Sequence, residues 1–219
     1  MGSILDEYHV LTAKNCTRKS DPATLTVIAG YQSPYWGKNS QVKYVEKIII
    51  QDKELAIIVL KKPFTITETV QPIRVIGPEK LNEKNFTAAY PPMYFVVGFE
   101  VPKSLEQADL VPKESAYHMV EEDWTNETEC ERCYDIVKDD QNITMCTDGA
   151  SQFGWGGMGS PVIVVIQKEF VLVGVVLKGQ CDKPGTDDQP RNYPEIPYNF
   201  FTRTDRYYKW IKANSFIGR

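Results

Sequence analysis

The chain has 219 residues, 42% of them hydrophobic, and a formal charge of -4. That length suffices for one large all-β domain or two small barrels around a shared cleft. A mildly acidic balance without a basic block argues against a nucleic-acid partner, and the longest apolar runs are of strand length, too short to cross a bilayer.

Taken in chain order, Ala23 to Gly30, Val42 to Gln51 and Glu54 to Leu60 read as strands, apolar either at alternate positions or continuously. Lys62-Pro63 stops that set, and Gln71-Pro72 opens an extended crossing segment. Tyr90-Pro91-Pro92 leads into a second strand set that begins at Tyr94 and includes Ser115 to Val120. Pro161 to Ile166 and Phe170 to Leu177 are two further strands, separated by Gln167-Lys168-Glu169. Asp182 to Pro190 is a polar loop with no core pattern. From Arg206 onward, Tyr207, Trp210 and Ile211 fall at i, i+3 and i+4, one helical face suited to packing on the second strand set. There is no internal repeat and no low-complexity tract.

The most informative run is Gly156-Gly157-Met158-Gly159-Ser160-Pro161. It resembles the Gly-Asp-Ser-Gly-Gly-Pro signature of trypsin-like serine proteases, with a thioether in place of the nucleophilic hydroxyl. Further stretches resemble the same family in the same order. Ile4 to Cys16 is similar to its strand and turn before the base, Glu54 to Leu60 to its "DIALLKL" strand, and Tyr94 to Phe99 to "VTGWG". Val173 to Cys181 is similar to "GIVSWGxGC", one residue short, and Phe201-Thr202-Arg203 through Tyr207, Trp210 and Ile211 to "YTRVSxYxxWI". The chain is identified as a member of the trypsin/chymotrypsin-like family, of the arthropod-type homologues that lack catalysis. The resemblance implies an all-β fold of two packed antiparallel six-stranded barrels with a C-terminal helix, the first barrel lacking its N-terminal strands. It implies one domain over 1–219: the remainder of the first barrel at 1–66, a crossing segment at 67–92, the second barrel at 93–205 and the helix at 206–219.

In that family a histidine is the base, an aspartate orients it and a serine attacks the carbonyl. Those positions match Asn15, Glu54 and Met158. An amide cannot take a proton at neutral pH, and a thioether cannot form an acyl-enzyme. Only two histidines exist to replace the base. His9 lies on the strand leading to Asn15 and His118 on a second-barrel strand, and both read as ordinary surface or partly buried residues. Ser160 has no base beside it. The resemblance also places Gly157 where the family's aspartate before the nucleophile pairs with the activated N-terminus. Gly156 retains one oxyanion peptide. The specificity-pocket floor falls on Gln152 with Phe153 beside it, the substrate-pairing strand on Leu177, Lys178 and Gly179, and a wall glycine on Asn199. Bulk stands where a deep slot would be.

Five cysteines suggest an oxidising compartment. By the resemblance, Cys130 and Cys146 form a loop-closing pair, Cys16 has lost a partner upstream of Met1, and the expected partner of Cys181 is Gly154. A replacement Cys133–Cys181 bridge is the expectation, with Cys133–Cys146 as its alternative. Sequons at Asn15, Asn85, Asn126 and Asn142 fit a secreted glycoprotein. Met1 to Glu7 has no secretory signal, so the resemblance implies that the leader and first strands belong to a longer precursor, or that the protein dispenses with those strands.

The expectation is therefore a non-enzyme: an extracellular serine protease homologue that binds a protein, a protease or a protease substrate among the candidates. It would act as cofactor, decoy or regulator in an immune protease cascade or in reproductive fluid. No cofactor, metal, nucleic-acid or membrane partner is implied. Loops around the old cleft, with Phe153, Trp155 and Lys178, are the expected surface; Trp155 equally suits a plug for the emptied nucleophile region. The alternatives are an active serine endopeptidase with rearranged catalytic residues, and a degenerate paralogue with no retained function.

Overall fold

The computed structural model describes residues 1–17, 20–30, 40–51, 54–77, 94–99, 117–124, 144–148, 157–179 and 198–218. Twelve strands and one short helix account for most of them. The first five strands are β1 (Ser3–Ile4), β2 (His9–Ala13), β3 (Thr26–Ala29), β4 (Gln41–Ile50) and β5 (Leu55–Leu60). They form one antiparallel sheet in the order β1-β2-β5-β4-β3.

The second sheet uses β6 (Arg74–Val75), β7 (Tyr94–Phe99), β8 (Tyr117–Trp124), β9 (Thr144–Asp148), β10 (Pro161–Ile166), β11 (Glu169–Gly179) and β12 (Tyr198–Arg203). Its order is β10-β7-β8-β9-β12-β11-β6, and β10 also pairs with β11. That extra pairing closes β10, β7, β8, β9, β12 and β11 into a six-stranded antiparallel ring, which removes the free edges an open sheet would expose. β6, in the expected crossing segment, joins the outside of this ring parallel to β11. The fold is all-β and trypsin-like.

The apolar patterns explain where the two halves meet. β5 reads Leu-Ala-Ile-Ile-Val-Leu and is buried at every position, because both of its faces are covered. Leu55, Ile57 and Val59 join Leu11, Ala13, Leu172, Val175 and Ile211 in a core shared by both sheets and the helix. Ile58 and Leu60 point to the other side, where Val10, Ala29, Val45, Phe64 and Val70 fill the first sheet. A strand read as continuously apolar rather than alternating is what two-sided burial requires. Each such Leu, Ile or Val contributes about 1.5–3 kcal/mol by leaving water.

Several boundaries differ from the sequence reading, two of them with a local side-chain cause. The strand expected from Ala23 begins only at Thr26, because Pro22–Thr24 forms a 3-10 turn with the Asp21 carboxylate capping the Ala23 amide at 2.9 Å. The C-terminal helix, expected over 206–219, is α1 (Tyr208–Ala213). Asn214 Nδ2 donates to the Trp210 carbonyl at 2.8 Å and Ser215 Oγ to that of Ile211 at 2.7 Å. These side chains satisfy the last helical carbonyls, so the chain turns away instead of continuing. Tyr207 and Ile211 are buried on the expected face, and Trp210 is half-buried against the shared core.

Gln167 and Lys168 form the two-residue turn between β10 and β11, both at positive φ (53 and 68 degrees). This backbone is that of the hairpin turns whose twist matches the flanking strands.

Candidate functional site

The family positions Asn15, Glu54 and Met158 come together through their neighbours' backbones. β2 ends at Ala13 and runs into a 3-10 turn, Lys14–Cys16, which carries Asn15 exposed at its centre. The Lys14 amide donates to the Glu54 carbonyl at 2.7 Å, which binds this turn to the residue before β5. On its other side the Cys16 thiol donates to the Met158 carbonyl at 3.4 Å. Asn15 thus sits between two residues that hold the other two positions.

Met158 lies on a tight turn. The Ser160 amide donates back to the Gly157 carbonyl at 3.0 Å, the Gly159 amide donates to the Val176 carbonyl on β11 at 2.8 Å, and the Val176 amide donates to the Ser160 carbonyl at 2.9 Å. Gly159 has φ +83, and a Cβ there would lie 2.4 Å from the Met1 carbonyl oxygen and 2.5 Å from Thr12 Oγ1. Only glycine fits that approach. The Met158 side chain is half-buried against the shared core. A flexible thioether suits such a filling role.

Glu54 is half-buried, and its Oε2 accepts the hydroxyl of Thr202 on β12. It also lies near Tyr207, whose hydroxyl is buried without a hydrogen-bond partner. Burial, and secondarily the Glu54 charge, push the Tyr207 phenol up to about 12. The carboxylate that would orient a base is therefore bonded to the second barrel. Thr202 and Tyr207 stand in the matched C-terminal run, but nothing in one sequence marks them as partners of Glu54.

The remaining expected positions divide in two. Leu177 is half-buried, and a register irregularity between Val176 and Lys178 falls on it. Gly179 pairs with Asn199 and Lys178 with Phe200, so the substrate-pairing strand and the altered wall position are cross-strand neighbours. Ser160 is fully buried and its hydroxyl meets no partner. Gln152, Phe153, Gly154, Trp155, Gly156, Cys130, Cys133, Cys181, Asn85, Asn126 and Asn142 lie outside the described residues. Cys146 is on β9, and Cys16 is a free thiol among the described residues.

His9 corrects the expectation of an ordinary surface or partly buried histidine. It is 7% exposed, and its Nδ1 lies 2.7 Å from Asp6 Oδ1. Asp6 was missed; its place three residues before a histidine at a strand start was the available signal. His9 lines a concavity with Tyr8, Glu46, Lys47 and the segment after α1, and none of Asn15, Glu54 or Met158 lines it. His118, on β8, pairs with Gly98 of β7.

Among the described residues no helix is long and apolar enough to cross a membrane. The family model described as Trypsin matches residues 1–211. With the closed six-stranded ring and the convergence of Asn15, Glu54 and Met158, that match gives the assignment: the chain belongs to the trypsin family.

Proposed function

We propose that this trypsin-family protein is catalytically silent and acts outside the cell by binding another protein, as a cofactor, decoy or regulator of the arthropod homologue type. The observation that carries the reading is the Met158 side chain, a thioether packed against the shared core at the nucleophile position. It offers no proton to remove and no oxygen to acylate. Asn15 beside it cannot serve as base, and Glu54 is engaged by Thr202. Losing a nucleophile or base removes about six decades of rate. Secretion rests on the cysteines and sequons. The expected process, an immune protease cascade or a reproductive fluid, rests on resemblance.

The rival reading, an endopeptidase with rearranged residues, needs a histidine that reaches both a carboxylate and a serine hydroxyl. His9 meets the first condition through Asp6. Ser215, which lines the same concavity, instead donates its hydroxyl to the Ile211 carbonyl.

The test has two arms. A fluorophosphonate should leave the purified protein unlabelled and a peptide ester should not turn over above blank; labelling or turnover overturns the silent reading. Crosslinking in native extracellular fluid should recover a reproducible protein partner, and recovery of background alone overturns the binding reading.

A further inference from the structure

Away from the Asn15 turn, the first sheet and the residues after α1 flank an open concavity of about 430 Å³. That volume falls within the range of small-molecule sites, about 300–1,000 Å³. Three local features build it. First, the β4–β5 register shifts between Val45, opposite Leu60, and Lys47, opposite Val59, leaving Glu46 as the extra residue of a bulge. The bulge lets Glu46 and Lys47, adjacent in sequence, both line the cavity.

Second, one carboxylate organises the floor and the rim. Asp6 Oδ1 accepts the amides of Tyr8 and His9 at 2.9 and 3.0 Å and faces His9 Nδ1 at 2.7 Å. Its Oδ2 accepts the Phe216 amide at 2.7 Å. Asp6 thereby orients the imidazole and pins the segment that carries Phe216. The Phe216 ring stands edge-on to His9 at 4.9 Å and to Tyr8 at 6.2 Å, while remaining 45% exposed.

Third, His9 has one nitrogen left. Its side chain is 9% exposed and lines the cavity, with Nδ1 turned to Asp6. A carboxylate oxygen that takes amide donors calls for a donating Nδ1–H, so Nε2 of the neutral ring is an acceptor. Among the described residues Nε2 meets no donor, and it is not one of the buried orphan atoms, so it keeps some exposure on a side chain that lines the cavity.

We propose that this cavity is a binding site for a small phenol, its ring against Phe216 and Tyr8 and its hydroxyl donating to His9 Nε2. Aromatic walls favour a flat ring, and the His9 acceptor favours a ligand with a donor. A neutral hydroxyl meets that need without bringing a second cation beside Lys47. The proposal stands whether or not the chain is catalytically silent.

The full-length chain is titrated with p-cresol while the His9 ring nitrogens and the Phe216 amide are followed by NMR. Saturable shifts at both are expected, with toluene binding at least roughly tenfold more weakly because it leaves the acceptor unmet. Phe216→Ala, at a half-exposed ring, should weaken p-cresol about fivefold or more while the remaining spectrum holds. His9→Leu, which has no acceptor, should abolish the preference for p-cresol; if that variant does not fold, the comparison of p-cresol with toluene on the native chain decides. Equal affinity for the two, or no saturable shift up to about 10 mM, overturns the site. N-acetyltyrosinamide binding more than roughly tenfold tighter than p-cresol overturns a free phenol as the occupant.

Discussion

The Thr202 hydroxyl donates to the Glu54 carboxylate, so one hydrogen bond joins β12 of the closed ring to the start of β5 in the first sheet. Thr202 is fully buried, and a charged acceptor makes this a stronger bond than most. Thr202→Val keeps the shape and removes the donor. The expected loss is about 1–3 kcal/mol in urea unfolding, because the carboxylate is left short of a partner. Thr202→Ser, which keeps the hydroxyl, should lose less. Equal stability of the valine variant and the native chain would show that the bond contributes nothing.

Gly159 offers a sharper steric test. Its φ of +83 disfavours any side chain, and a methyl group would press on the Met1 carbonyl and Thr12 Oγ1. Backbone atoms cannot yield as a flexible side chain does. Gly159→Ala should therefore cost about 3 kcal/mol or more in thermal or urea unfolding. A loss near the ordinary glycine-to-alanine value in a loop would mean that Met1 and Gly2 move aside, and hydrogen exchange at the Gly2 amide would then rise.

The strands were legible because burial leaves a period in the residues. β5 declared itself by a continuous apolar run, β4 and β10 by runs broken at turns, and the tight turn at Met158 by its glycines. What could not be read depends on partners distant in sequence. Glu54 appeared as a lengthened aspartate, yet its hydroxyl donor comes from Thr202, 148 positions away. Asp6 drew no notice in the sequence, while its second oxygen holds Phe216, 210 positions on. The helix pattern of Tyr207, Trp210 and Ile211 was sound, but its end was set by Asn214 and Ser215 side chains that compete for the last carbonyls.

The silent reading predicts that repairing the triad alone is insufficient. The variant Asn15→His, Glu54→Asp and Met158→Ser restores the three residue types, yet Gly157 still lacks the carboxylate that pairs with an activated N-terminus in the family. A shortened acid also gives up the reach to Thr202. Peptide-ester turnover by this triple variant should stay at least about two to three decades below that of an active family member, since an unformed oxyanion hole alone costs that much. Turnover well above that would locate the loss of activity in the three triad positions only.

Tyr207 carries the last prediction, because its hydroxyl is buried with no partner while Glu54 stands nearby. At neutral pH the phenol is protonated in both folded and unfolded chains, and the orphan group is simply a desolvation cost. Tyr207→Phe should therefore leave stability unchanged or raise it by about 1 kcal/mol. Alkali separates the two proteins. The folded phenol titrates near 12 against 10.0 for the ordinary group, so as pH rises past 10 the unfolded chain loses its proton first. Stability falls wherever the unfolded state binds fewer protons. The native chain should thus lose a Tyr207 contribution progressively between about pH 10 and 12, and the phenylalanine variant should lack that share of the decline. Urea midpoints compared at pH 8 and pH 11 read the difference directly; parallel declines in both proteins would place the Tyr207 hydroxyl in contact with solvent rather than in the shared core.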